Sequence, residues 1–246
     1  MKRILITGGP TNEPIDEVMK ITNMSTGSLS VHLGKAFHQG GYHVTLVLNH
    51  SVTLHSLPKD ERMEIVQVET TEEMLSAIEV LSKNNHYDAL IHAAAVGDYA
   101  AQFTFLMEDL AEELFAQKEK FSSPADILSI LEDPRCKLDD SSKISSYQKN
   151  LSVKLTLTPK IIARLREWFP DTLICGCKLL ENVSQEELFT VAQNLCLKNH
   201  TDYIFANDLA ELRKGKTARY PVSSKGYMGQ PLDTPQDIYA FVHSKL

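Results

Sequence analysis

Short apolar runs recur along this chain, each followed by a turn and then a helix-length segment, and that rhythm leaves few folds open. The first run, Ile4-Leu5-Ile6, passes directly into Thr7-Gly8-Gly9-Pro10. After Ser25-Thr26-Gly27 a helical pattern carries Leu29, Val31, Leu33 and Phe37 and stops at Gly40-Gly41, a C-cap signal. Residues 42–48 form the second strand and 63–69 the third. Residues 70–84 read as a helix in which Thr70 and Glu73 have the spacing of a capping box. Residues 87–96 are apolar nearly throughout, as a strand buried on both faces is. Repeated β-α units imply a parallel sheet with helices on both faces, so the fold class is α/β.

The rhythm breaks at about 101–142, an inserted segment after the fourth strand. Residues 105–120 are acidic and helix-compatible, 124–131 read as a further helix, and Asp133-Pro134 and Asp139-Asp140-Ser141-Ser142 are turn-like. An excursion of this length either covers a site, meets another subunit or is passive surface. The sheet then resumes with 151–157, where Leu151, Val153, Leu155 and Leu157 alternate with polar residues. Thr158-Pro159 opens a helix to about 169. Residues 173–180 form a strand, Ser184 and Glu187 open a helix to 199, and 202–206 form the last core strand. Turns are expected at Gly215, Gly226 and Gly229, and a final helix over 234–245. With no repeat and no linker, residues 1–246 read as one domain carrying an insertion.

Composition excludes several classes. A net charge of −7 argues against a nucleic-acid binder. No apolar run reaches transmembrane length, and Ile4 to Ile6 is too short for a signal-peptide core. The four cysteines, Cys136, Cys175, Cys177 and Cys196, show neither CxxC nor metal-ligand spacing, so they read as reduced thiols of a cytoplasmic protein. Cys175 and Cys177 share one face of a strand.

Parallel sheets bind ligands beyond the C-terminal strand ends, where strand order switches. The first strand ends at Gly8-Gly9 and the fourth at Ala94-Ala95-Val96-Gly97-Asp98, so both border one crevice. Glycine lets backbone approach a ligand, and a helix N-terminus attracts anions. The turn also suits a tight connection with no ligand. It lacks GxGxxG, and the second strand ends in Leu48-Asn49-His50 without the acidic residue that would bind an NAD ribose. Neither a P-loop nor a GxSxG elbow occurs. An NAD(P)-dependent oxidoreductase and a non-catalytic nucleotide-binding protein stay as alternatives to an enzyme that activates a carboxylate with a nucleotide.

Gly8-Gly9-Pro10-Thr11-Asn12-Glu13-Pro14-Ile15-Asp16, followed by Ile21-Thr22-Asn23-Met24-Ser25-Thr26-Gly27, closely resembles the signature of phosphopantothenoylcysteine synthetase. Ala93-Ala94-Ala95-Val96-Gly97-Asp98-Tyr99, Lys143-Ile144-Ser145-Ser146, Thr158-Pro159-Lys160-Ile161 and Ala206-Asn207-Asp208 resemble later blocks of that family, in order. The resemblance implies a Rossmann-like sheet that uses neither NAD nor flavin. It implies a ligase of coenzyme A biosynthesis that joins 4′-phosphopantothenate to L-cysteine. CTP, or ATP in some relatives, forms an acyl-nucleotide intermediate with loss of pyrophosphate. Magnesium is required and the family is usually dimeric. With no flavin-decarboxylase half ahead of residue 1, a stand-alone synthetase is expected, with no nucleic acid and no membrane as partner.

The resemblance also assigns roles. Gly9, Pro10 and Thr11 shape the triphosphate turn, while Ser25, Thr26 and Gly27 add donors at a helix start. Asn23 holds the acyl-nucleotide intermediate, although a turn asparagine has the same look. Ala94 and Ala95 leave room for base or ribose, or allow close helix packing. Asp98 positions the nucleotide or a metal, or caps a helix. Pro159, Lys160 and Ile161 belong to the nucleotide site, and Lys143 is the leading phosphate cation. Lys178 is a second candidate; Lys198 is a third, or simply meets a helix dipole. Asn207 and Asp208 sit at a strand end facing substrate, with capping an equal reading for Asp208. No metal ligand is assigned. Ser145-Ser146, Cys177 and the position of Lys198 depart from the family pattern and leave CTP and ATP both open.

Overall fold

The computed structural model describes residues 1–139 and 142–246. In chain order the elements begin β1 (Arg3–Gly8), β2 (Asn12–Pro14), β3 (Lys20–Thr22), α1 (Ser28–Gln39), β4 (His43–Asn49), β5 (Met63–Val68), α2 (Thr71–Asn84) and β6 (Ala89–His92). Then come β7 (Tyr99–Leu106), α3 (Met107–Ala116), α4 (Pro124–Glu132), β8 (Leu151–Leu157), α5 (Ile162–Trp168) and β9 (Leu173–Leu180). The chain finishes with α6 (Gln185–Asn199), β10 (Tyr203–Asp208), α7 (Leu209–Arg213), β11 (Tyr220–Ser223), β12 (Gly226–Tyr227) and α8 (Pro235–His243). Two compact units result. The first takes Met1–Thr11, Asn23–Val96 and Pro159–Leu246; the second takes Asn12–Thr22 and Gly97–Thr158.

The first unit holds an eight-stranded sheet in the order β12-β11-β10-β9-β6-β1-β4-β5. Its six strands from β10 to β5 pair in parallel, and β11 and β12 add an antiparallel edge. Side-chain alternation along β1 explains the two layers of helices. Ile4 and Ile6 pack with Phe37 of α1 and with Ile238 and Val242 of α8. Leu5 points the other way, into Met74 and Ile78 of α2 and Leu165 of α5. All three β1 residues are fully buried, and each such side chain contributes about 1.5–3 kcal/mol. Helix α6 lays Leu188, Ala192 and Cys196 on Ile204 and Ala206 of β10. This is a Rossmann-like α/β fold, as the strand-helix rhythm leads one to expect.

The second unit contains two separate antiparallel pairs, β2-β3 and β7-β8. Strand β7 carries an irregularity between Ala101 and Phe103. Thr158 closes the unit on its own start: its N–H meets the Asp98 carbonyl at 3.1 Å, and its hydroxyl donates to the Gly97 carbonyl.

Several expectations change. The inserted segment is wider than 101–142, because β8 pairs with β7 and not with the main sheet. Its alternation does not correspond to a covered face: Leu151 to Lys154 are all half-buried, and Leu155 and Leu157 are exposed. The stretch read as a helix from 105 is strand to Leu106, and α3 starts at Met107. Tyr99 to Phe105 favours strand through its aromatic and Thr content, and pairing with a distant partner overrides the acidic helical pattern that follows. The fourth strand is only Ala89–His92, because residues 93–96 turn to meet β1's exit. The very short β2, β3, α7, β11 and β12 went unread: two to five residues give no measurable period. The expected turn at 139–142 includes Asp140 and Ser141, which lie outside the described residues. Gly215, Gly226 and Gly229 all have positive φ; Gly215 lies in a turn, Gly229 in a bend, and Gly226 opens β12 directly after the turn at 224–225. Among the described residues no helix is long and apolar enough to cross a membrane.

Candidate functional site

The strand order reverses between β1 and β6. From β1 the chain moves to β4 on one side, then returns to β6 on the other, so the ends of these two neighbours open a crevice. Backbone bonds join the two exits. Ala95 N–H donates to the Gly9 carbonyl at 2.8 Å, and Thr11 N–H to the Ala95 carbonyl at 3.3 Å. Below them the Thr7 hydroxyl accepts from Ala94 N–H at 3.2 Å and lies 2.8 Å from His92 Nδ1. Burial pushes the His92 imidazole down to about 4, so it is neutral at physiological pH. Thr7 and His92 thus form an uncharged base under the 93–96 turn. The sequence signal for them was present: two polar residues inside otherwise apolar strands.

Glycine is required at two points of this rim. Gly9 and Gly27 have φ of 80° and 70°, in the left-handed region that other residues avoid. A Cβ on either would come within 2.6 Å of Val52 Cγ2, and one on Gly27 would also lie 3.2 Å from Gly9 Cα. The two glycines therefore let the turn after β1 and the start of α1 close on each other over Val52. Ser30 completes the join from inside α1, donating its hydroxyl to the Thr7 carbonyl at 2.9 Å. Neither Val52 nor Ser30 carried a motif, so sequence reading passed over both.

Gly27 is the N-cap of α1, no side chain caps it, and the first turn holds no acidic residue. No acid offsets the positive end of the helix dipole, and the hydroxyls of Ser25 and Thr26 accept from the N–H groups of Gly27 and Ser28 at a long 3.4 Å each. Thr26 is exposed and Ser25 half-buried. Asn23 stands just ahead of them. Its Nδ2 donates to the carbonyls of Ala95 at 3.1 Å and Val96 at 3.0 Å. That one side chain ties the approach to α1 to the exit of β6. Chemically, the rim offers hydroxyls and an uncompensated helix start to an anion.

The structure thus brings Gly9, Pro10, Thr11, Asn23, Ser25, Thr26, Gly27, Ala94 and Ala95 together. Pro10 and Ala95 form a β-bridge. The Thr11 hydroxyl is buried and accepts from Thr71 at the start of α2 at 3.0 Å, so it braces the turn from within. Pro159 and Lys160 precede α5, and the Ile161 side chain is core, packed in the layer with Leu5 and Leu165. Lys178, half-buried, and Asn207 lie near the ends of β9 and β10. Asp208 is a cap: it accepts from Glu211 N–H at 3.1 Å and from Val183 N–H at 3.2 Å. Burial works against its charge, but backbone N–H groups of Val183, Glu211, Ala210 and Asn182 still hold its carboxyl below the usual range.

Lys198 is not brought to this edge. It sits exposed in the last turn of α6, which leads to the first residue of β10, so it lies at the opposite end of the sheet. Its charge meets the carbonyl end of its own helix, the second of its two readings. Asp98 and Lys143 belong to the second unit, and both are exposed. The thiols are poor nucleophiles: burial pushes Cys175 well up and Cys177 to about 11. Among the described residues no group of three His, Cys, Asp or Glu is gathered to hold a metal ion.

Fold and rim together define a doubly wound α/β protein with a crevice at its switch point. Comparison with known proteins takes this further. Residues 1–128 match the model of the DNA/pantothenate metabolism flavoprotein C-terminal domain, and the chain belongs to that family. It is 33% identical over 208 residues to the coenzyme A biosynthesis bifunctional protein CoaBC of Thermococcus kodakarensis, covering 85% of this chain and 41% of that protein. The corresponding protein of Methanocaldococcus jannaschii is 28% identical over 209 residues, with the same coverage. The chain therefore spans about two fifths of the length of these relatives. The crystal structure of the DNA/pantothenate metabolism flavoprotein from Streptococcus pneumoniae shares 28% identity and a TM-score of 0.79, covering 100% of this chain and 98% of that one. The resemblance read from the glycine-rich signature is borne out at the level of the family.

Proposed function

We propose that this chain is the ligase that joins 4′-phosphopantothenate to L-cysteine in coenzyme A biosynthesis, with CTP, or alternatively ATP, as the activating nucleotide. The observation that carries the reading is the Asn23 bridge to Ala95 and Val96 beside the uncapped, acid-free start of α1. Family membership and the coenzyme A role of the relatives support it.

In the first step a carboxylate oxygen of phosphopantothenate attacks the α-phosphorus of the nucleotide and pyrophosphate leaves. In the second the cysteine amine attacks the acyl carbon, the nucleoside monophosphate leaves with its oxygen, and the nitrogen loses a proton to give the amide. The protein's share is charge management, since two anions must meet and an oxyanion develops. Ser25, Thr26 and Gly27 take phosphate oxygens at the helix start. Gly9 and Pro10 keep the turn low enough for close approach. Ala94 and Ala95 leave space for the base or ribose. Asn23 orients the acyl-nucleotide by holding both loops in register. Lys143, Lys178 and Lys160 are the cations closest in role to the phosphates; Asp98 and Asn207 orient nucleotide and substrate. Magnesium, when bound with the nucleotide, would supply charge neutralisation of the triphosphate. The active form is a cytoplasmic homodimer.

Pyrophosphate release is the test. Purified protein with magnesium, 4′-phosphopantothenate and cysteine is expected to release it continuously with CTP or ATP, and the faster nucleotide is the natural one. Release that ignores the acid, or none from folded protein with either nucleotide, would overturn the reading.

A further inference from the structure

Asp16 lies between β2 and β3 and is 6% exposed, unusual for an isolated carboxylate. Its Oδ1 accepts from Val18 N–H at 2.7 Å and Met19 N–H at 2.6 Å, closing a local turn. Its Oδ2 accepts from Ile144 N–H at 2.9 Å, from 128 residues further along the chain. Hydrogen bonds to a charged acceptor are shorter and stronger than neutral ones. The N–H groups of Met19, Ile144 and Val18, helped by the Lys143 charge, hold this carboxyl below its usual range. It stays ionised throughout the neutral pH range.

The segment held this way has no helix or strand to fix it. Its neighbouring bonds are local: Gln148 N–H to the Ser145 carbonyl at 3.2 Å, and Tyr147 N–H to Ser145 Oγ at 3.3 Å. The Ile144 side chain is 8% exposed, so the segment is pinned by a side chain and a backbone bond at one residue. Beside the pin is a cavity of about 180 Å³ lined by Asp16, Met19, Lys143, Ile144 and Ser145. Lys143, immediately before Ile144, projects from the pinned backbone on a flexible four-carbon stem whose root is fixed by its neighbour.

We propose that Asp16 is a positioning residue: by gripping the Ile144 N–H it fixes the 143–146 segment and with it the root of Lys143, the cation that the proposed function assigns to the nucleotide phosphates. The kinetic half rests on the ligase reading; the grip does not.

Asp16→Asn isolates the grip. The amide oxygen still accepts from Val18 and Met19, while its NH2 group faces the Ile144 N–H, donor against donor. Ile144 amide exchange should quicken about tenfold or more, the factor for losing one hydrogen bond to a charged group, with Val18 and Met19 protection kept. The nucleotide KM should rise several-fold in wild-type background and not rise further in Lys143→Ala. Unchanged Ile144 exchange would overturn the grip. An equal KM effect with and without Lys143 would reduce Asp16 to a structural residue and overturn the positioning role. Were wild type inactive, the ligase reading would fall and the positioning role with it, while exchange would still decide the grip.

Discussion

Helices α1 and α2 both start at the C-terminal edge of the same parallel sheet, and they start differently. At α2, Thr70 accepts from Glu73 N–H at 3.1 Å, Glu72 and Glu73 fill the first turn, and the Glu73 carboxylate reaches back to Glu69 N–H at 2.7 Å. Helices α6 and α8 do the same with Ser184 and Thr234 as caps and acidic first turns. At α1 the cap is Gly27, left-handed and without a side chain, and no acid follows. At α2, α6 and α8 this sequence satisfies exposed N–H groups and offsets the dipole internally, whereas the short α5 has neither a side-chain cap nor an acid in its first turn. At α1 the acid is missing and the side-chain bonds to the helix start are long, Gly27 N–H to Ser25 Oγ and Ser28 N–H to Thr26 Oγ1 at 3.4 Å each, while the glycines bring the turn after β1 against the helix start. The contrast separates helix ends closed by their own side chains from one that, on the proposed function, a nucleotide phosphate completes.

The strongest way to break the contrast is to give α1 an ordinary residue at its cap. Gly27→Ala puts a Cβ 2.6 Å from Val52 Cγ2 at a φ of 70°. Unfolding free energy should fall by about 1–3 kcal/mol in urea titration. Stability equal to wild type would mean that the close approach over Val52 is not needed. Next in size, Thr70→Ala removes a cap at α2 and should cost about 1 kcal/mol in the same titration. It should leave the nucleotide KM unchanged, and a raised KM would show that α2's start also serves the ligand. The smallest stability effect is expected from Ser28→Glu, which gives α1 the acid its counterparts have. By itself that should stabilise the fold by about 0.3–1 kcal/mol.

What the sequence made legible follows the same division. The parallel core was readable because its central strands are buried on both faces and three of its helices carry their own caps: Thr70, Ser184 and Thr234 are all in place. The rim was readable as a block, since Gly9, Asn23 and Gly27 lie close in sequence. What was missed depends on partners far along the chain. Asn23 was readable as a candidate, but its bonds to Ala95 and Val96 span more than 70 residues. Strands β7 and β8 pair across α3 and α4, so neither's local pattern announces the ribbon. Asp16 and Ile144 lie in two separately recognised blocks whose hydrogen bond neither block reveals. Lys198 is a different case. A helix that follows one parallel strand and precedes the next must run back across the sheet, so its last turn lies away from the strand ends, and topology already contained the answer.

The account turns on α1's start being an anion site. The most direct measurement is the equilibrium affinity of magnesium-bound CTP and ATP for wild type and for Ser28→Glu. One added negative charge beside bound phosphates should weaken nucleotide binding at least about tenfold, while the same variant is as stable as wild type or more so. Equal affinity in a stabilised variant would contradict it: α1 would then be a helix that is merely uncapped, and the nucleotide, if it binds, would lie elsewhere.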